Sequence, residues 1–135
     1  MTILGNPGNA YKRKNCRVLD GQPTPPGACE ITSPGGYGIG VDLNRNYGGL
    51  WGGPGASDLS PDPTYRGGGP FSEPETQAIR ELVSSRHVPT LVTNHTFSNL
   101  GLRPPGIRSA DETVDDAAMP ERAARMSPQN GYRNI

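Results

Sequence analysis

The sequence predicts an α/β fold, a sheet with helices packed on it. Three observations predict it: short apolar segments at 39–43 and 88–93 that each run into polar residues, a strongly signalled helix between them, and a weaker helix towards the C-terminal end. The order strand, loop, helix, strand, loop, helix is that of helices packed on a sheet. With 135 residues the chain is expected to form one domain over 1–135, since a single core commonly takes on the order of 100 residues or more.

From Asn6 to Gly40 turn formers dominate, in Asn6-Pro7-Gly8, Pro23-Thr24-Pro25-Pro26-Gly27 and Pro34-Gly35-Gly36. So long a loop region inside a compact domain usually serves a binding site. Ile39-Gly40-Val41-Asp42-Leu43 alternates apolar with small or polar residues, which reads as a short strand leading into Asn44-Arg45-Asn46-Tyr47. Polar groups at a strand's end are where α/β proteins place their chemistry.

A second glycine- and proline-rich loop runs from Gly48 to Pro70. Ser72-Glu73-Pro74-Glu75 then combines an N-cap serine, a first-turn proline and a capping-box glutamate. Ala78, Ile79, Leu82 and Val83 recur on one face, so a helix is predicted from about Glu73 to Arg86, with that face buried on the sheet. Val88, Leu91 and Val92 mark a second strand, Val88 to Thr93, ending at Asn94-His95. A weaker helix is expected within Asp111 to Met126, helped by early acidic residues and late arginines.

Composition narrows the function. Hydrophobic residues make up 32% of the chain, mean hydropathy is −0.63, and 19 glycines with 15 prolines fill about a quarter of positions, so the core must come from few segments. Thirteen basic residues balance 13 acidic ones, giving no net field for nucleic acid or an anionic membrane; neither is an expected partner. No apolar run reaches the roughly 20 residues of a membrane-spanning helix, and Met1 to Gly5 is too short for a signal-peptide core. Cys16 and Cys29 lack zinc-finger spacing; a loop-closing disulfide and two free thiols both remain open.

No phosphate-binding loop and no Gly-x-Ser-x-Gly elbow is present, which argues against nucleotide binding and serine hydrolysis. Lys12-Arg13-Lys14 with Arg17 reads as a solvated basic loop. Asn94-His95-Thr96 fits the N-glycosylation pattern, and a glycan there would conflict with a buried role for His95. By itself, a lone histidine after a strand reads as a hydrogen-bonded structural residue.

Four segments change that reading of His95. Arg13-Lys14-Asn15; Gly40-Val41-Asp42-Leu43-Asn44-Arg45-Asn46-Tyr47; Tyr65-Arg66-Gly67 with Phe71-Ser72-Glu73-Pro74-Glu75; and Thr93-Asn94-His95-Thr96-Phe97-Ser98 resemble, in order, successive motifs of the zinc metallocarboxypeptidases of the carboxypeptidase A kind. The resemblance covers Tyr11 to about Pro105 and implies a partial mixed sheet with flanking helices, a segment of that family's α/β/α fold.

It further implies that Asn44 and Arg45 grip the terminal carboxylate of a peptide, as suits the planar donor fork of a guanidinium. Arg13 would stabilise the oxyanion formed at the scissile carbonyl. His95 would be a zinc ligand at a strand end, with Thr96 and Phe97 beside the substrate. The substrate would be a peptide or protein C-terminus, the cofactor zinc and the setting extracellular.

The family's other two zinc ligands come from an upstream His-x-x-Glu motif, whereas this sequence has only His87 and His95, neither of which begins one. Its general-base glutamate and capping tyrosine lie downstream, beyond what Ile135 reaches. One imidazole does not hold zinc against water, so the chain by itself is expected to be inactive and to leave sheet edges exposed. Two other readings are a non-catalytic module in which Arg13, Asn44 and Arg45 bind peptide carboxylates, and an inert gene fragment.

Overall fold

A computed structural model describes residues 12–17, 29–30, 38–95, 99–102 and 117–134. The chain divides into two compact units, Met1–Pro89 and Thr90–Ile135.

In the first unit the segment expected as a strand at 39–43 makes a single antiparallel bridge, Lys14 to Asp42, with Asn15 N–H donating to the Val41 carbonyl at 2.9 Å. On the other side Asp42 N–H donates to the Tyr65 carbonyl at 2.8 Å. The strand stops there for two reasons. Gly40 sits at φ +91° against the Asn15 backbone, a conformation outside the pleat, and Asp42 caps a 3-10 turn, Leu43–Arg45, that carries the chain away. A second bridge, Ser57 to Tyr65, closes the loop that follows.

Helix α1 runs over Pro74–Ser85, within a residue of the predicted ends at both sides. Proline at its first position and Glu75 in its first turn suit a helix start. Its N-cap is Glu73 and not Ser72, and Glu73 makes no side-chain cap bond. The Ser72 hydroxyl donates instead to Glu73 Oε1 at 2.9 Å. The apolar face is not buried on a sheet: Ile79, Leu82 and Val83 are 38%, 52% and 39% exposed, and the helix buries only Thr76 among the described residues.

The second predicted strand, 88–93, is irregular, with Leu91 and Val92 exposed. β-branched residues favour extended backbone but supply no ladder partner, and none pairs with this segment among the described residues. Among the described residues the paired strands are a two-stranded parallel pair in the second unit, β1 Leu100–Gly101 with β2 Arg133–Asn134, extended by Arg133 N–H donating to the Asn99 carbonyl at 3.1 Å.

Helix α2 spans Met119–Asn130, overlapping the expected helix and continuing past it; residues 111–116 lie outside the described set. It ends where Gly131, at φ +69°, takes the left-handed conformation and donates to the Ser127 carbonyl at 2.8 Å.

Among the described residues the interior of the first unit is mostly polar: Val41 and Cys29 are the buried apolar residues there, beside buried Lys14, Asp42, Asn46, Glu73 and Thr76. Burying such groups is costly unless each finds partners. Every one of the five does, and those partnerships build the candidate site.

Candidate functional site

Asp42, 2% exposed, uses its two carboxylate oxygens on two different segments. Oδ2 accepts from Arg13 Nε at 3.1 Å and Nη2 at 3.0 Å, while Oδ1 accepts from Asn44 N–H at 3.1 Å. The second contact is a local Asx turn that fixes the start of the Leu43–Arg45 turn. One carboxylate therefore orders both the sequence-predicted arginine loop and the Asn44–Arg45 turn. The Arg13 side chain stays 45% exposed, leaving its outer edge open to solvent.

Arg45 is held from the far side. Its Nε donates to the Gly55 carbonyl at 2.8 Å and its Nη1 to the Asn44 carbonyl at 3.1 Å, with the side chain partly exposed. Asn44 is exposed beside it. An arginine oriented through Nε keeps guanidinium N–H groups for a planar anion.

The basic cluster is not wholly solvated as the sequence suggested. Lys14 is 5% exposed, its Nζ donates to the carbonyls of Gly38, Ser60 and Asp62, and it lies 5.4 Å from the Tyr65 ring centroid. Burial, aided by the charge of Lys12, holds its ammonium below the usual lysine range. Lys14 is thus a structural cation that anchors the strand beside Arg13.

Asn15 accepts from Val41 N–H at 2.9 Å and donates through Nδ2 to Glu73 Oε2 at 2.8 Å. The fully buried Glu73 carboxylate also meets Arg17 Nη1 at 3.4 Å. Asp62 accepts from the Thr64 N–H and hydroxyl, both at 2.7 Å, which holds its carboxyl below the usual range. Cys16 and Cys29 are both thiols; Cys29 Sγ donates to the Cys16 carbonyl at 3.5 Å, and burial with that neighbour pushes its thiol up to about 12.

His95 belongs to the second unit, is exposed, and places Nε2 3.4 Å from Thr93 Oγ1. Among the described residues no three His, Cys, Asp or Glu side chains gather in a group able to hold a metal ion, so those residues do not by themselves make a zinc site. Thr96 and Phe97 lie outside the described residues. Asn94 is exposed.

Sequence reasoning missed Asp42, Asn46 and Glu73 as site-building groups. The Asp-x-Asn spacing of 42–44 was a signal for the Asx turn. Nothing in the pattern marked Asn46 or Glu73 as buried.

Residues 6–134 match the family described as zinc carboxypeptidase. Carboxypeptidase O of Homo sapiens is 41% identical over 70 residues, covering 50% of this chain and 19% of that protein. Carboxypeptidase A2 of Mus musculus is 35% identical over 94 residues, 67% and 22% of the two chains. Carboxypeptidase B2 of Bos taurus is 32% identical over 101 residues, 72% and 24%. The chain therefore spans between 19% and 24% of the length of these relatives. A match over almost every residue, with the Asn44–Arg45 turn and the Arg13 loop ordered by one carboxylate, leads to one conclusion: the chain belongs to the zinc carboxypeptidase family, a family of zinc-dependent hydrolases with an α/β fold.

Proposed function

We propose that this chain supplies the substrate grip of a zinc carboxypeptidase that hydrolyses C-terminal peptide bonds. Asn44 and Arg45 bind the terminal carboxylate, Arg13 faces the developing oxyanion, and Thr96 and Phe97 lie beside the substrate. His95 would be one of three protein ligands to zinc, which when bound would supply polarisation of the carbonyl and activation of water. The observation that carries the reading is the Asp42 carboxylate, which ties Arg13 to the Asn44–Arg45 turn through three hydrogen bonds of 3.0 to 3.1 Å. Such ordering before a ligand arrives lowers the cost of binding it.

The test is a titration of the isotope-labelled chain with an acetylated tripeptide bearing a free C-terminal carboxylate, and with its C-terminal amide. The free acid is expected to shift the Arg45 Nε–H resonance and the amide to leave it in place. Arg45→Ala should weaken acid binding by about tenfold or more. Equal binding of acid and amide refutes the reading. With added zinc the chain alone should release no terminal amino acid; release would show that the described residues understate the metal site.

A second reading is a non-catalytic module that binds peptide C-termini, for which the Asp42-ordered Arg13 and Asn44–Arg45 turn would serve without a metal. Acid-selective binding that is indifferent to zinc, and that persists with no hydrolysis in the complete parent protein, would distinguish it.

A further inference from the structure

Asn46 stands directly after the proposed carboxylate-gripping pair and is fully buried. Its side chain is saturated. Oδ1 accepts from Glu73 N–H at 3.2 Å and from the Thr76 hydroxyl at 2.7 Å. Nδ2 donates towards the Arg66 carbonyl at 2.9 Å, the Gly69 carbonyl at 3.2 Å and Ser72 Oγ at 2.8 Å. Its backbone is pinned as well, its N–H to the Leu43 carbonyl at 3.2 Å and its carbonyl by Phe71 N–H at 2.7 Å.

Only an amide meets this demand. A carboxylate would point a second acceptor at two carbonyls and a hydroxyl, and an aliphatic group would remove one hydrogen bond from each of five partners. Space confirms the fit: a Cβ at Gly67, which lies at φ +83°, would come 2.7 Å from Asn46 Nδ2 and 2.5 Å from Ser72 Oγ.

The position of these bonds gives them a consequence for Arg45. The segment from Tyr47 to Gly69 leaves Asn46 and returns to it, at Arg66 and Gly69, so Asn46 closes the base of the loop. That loop carries Gly55, whose carbonyl holds Arg45 Nε. Inside it the Arg66 guanidinium packs 4.4 Å from the Trp51 ring centroid, and Trp51 Nε1 donates to the same Arg66 carbonyl at 3.2 Å. Opening the base releases the far wall of the Arg45 side chain and the peptide plane that follows its Cα.

We infer that Asn46 is the positioning residue of the carboxylate grip: it fixes Arg45 by locking the base of the 47–69 loop and the end of the Leu43–Arg45 turn to the start of α1. The inference rests on the proposed role of Arg45 for its functional meaning, and on geometry alone for its structural one.

The test separates the two. In the unliganded 135-residue chain, hydrogen exchange of the Arg45 Nε–H, assigned with Arg45→Lys, is compared with that of α1 amides from Arg80 to Ser85. Asn46→Ala should speed exchange at Arg45 on the order of tenfold or more, with the α1 amides little changed. It should also abolish the preference for a free-acid peptide over its amide. If Asn46→Ala fails to fold, Ser72→Ala and Thr76→Val, which each remove one partner of the Asn46 amide, should give smaller increases at the same N–H.

Unchanged Arg45 protection in a variant whose α1 remains protected overturns the inference, whatever the peptides do. Equal acceleration at Arg45 and throughout α1 also overturns it, since that marks a general structural role. If Arg45 loosens as expected but the unsubstituted chain never prefers the acid, the carboxylate reading fails and the positioning role stands.

Discussion

Glu73 is the group on which the polar interior of the first unit turns, and its removal is the sharpest test of how that unit is held. The side chain is fully buried, and its carboxylate meets Asn15 Nδ2 at 2.8 Å, the Ser72 hydroxyl at 2.9 Å and Arg17 Nη1 at 3.4 Å. In Glu73→Ala the Arg17 contact costs little, about 0.2–1 kcal/mol, because that side chain is 45% exposed and returns to water. Asn15 Nδ2 and the Ser72 hydroxyl are part-buried and lose an acceptor, at about 1–3 kcal/mol each. Together these place the loss at about 2–7 kcal/mol.

Urea unfolding followed by circular dichroism reads this directly. With a slope of about 1–3 kcal/mol per molar urea, the midpoint should fall by about 1 M or more. Arg17→Ala is the control and should cost only about 0.2–1 kcal/mol. Should Glu73→Ala fall within about 1 kcal/mol of the unsubstituted chain, or match Arg17→Ala, the carboxylate is not the hub described.

Three further outcomes follow from the same structure. Gly40→Ala should cost about 3 kcal/mol or more, because its Cβ would lie 1.8 Å from the Asn15 carbonyl oxygen at φ +91°; near-native urea stability would show that the bridge to Asn15 yields. Cys29, with its thiol raised from 9.0 to about 12, keeps its proton in the fold after the unfolded chain has released it. Stability should therefore be intact below pH 9, fall as pH rises from 9 towards 12, and lose that slope in Cys29→Ala; a slope unchanged by the substitution refutes the assignment. Leu82→Lys, at a position already 52% exposed, should change stability by no more than about 0.5 kcal/mol, and a thermal melt showing a larger loss would mean that the α1 face is covered.

The helix was legible in the sequence because its determinants are local. Pro74 and Glu75 set the start, and the spacing of Ile79, Leu82 and Val83 set the face. What covers that face was not legible, since periodicity names a side to bury and no partner for it. The strands failed for non-local reasons. At 39–43 the alternation was overridden by the conformation Gly40 takes against Asn15 and by the turn Asp42 caps; at 88–93 extended propensity found no ladder.

In the site, Arg13 and the Asn44 N–H share the Asp42 carboxylate, while the Arg45 side chain is held by the Gly55 and Asn44 carbonyls. His95 is exposed in its own unit. Asn46 and Glu73 were invisible because polar residues read as surface until a network shows otherwise.

That network bears on the glycine-rich composition. Gly40 and Gly67 sit where a side chain would strike Asn15 or Asn46, so glycine here permits close approach of polar groups and does not mark disorder. With Val41 and Cys29 as the buried apolar residues among those described in the first unit, directional bonds there carry a share of stability that apolar packing carries elsewhere. The usual ordering of substitution costs should then invert. Glu73→Ala, at about 2–7 kcal/mol, should exceed Leu82→Ala, whose half-exposed side chain forfeits far less than the roughly 2–5 kcal/mol of a buried leucine. Measured side by side in urea, a larger loss from Leu82 than from Glu73 would show that apolar packing, and not the Glu73 network, dominates the stability of the first unit.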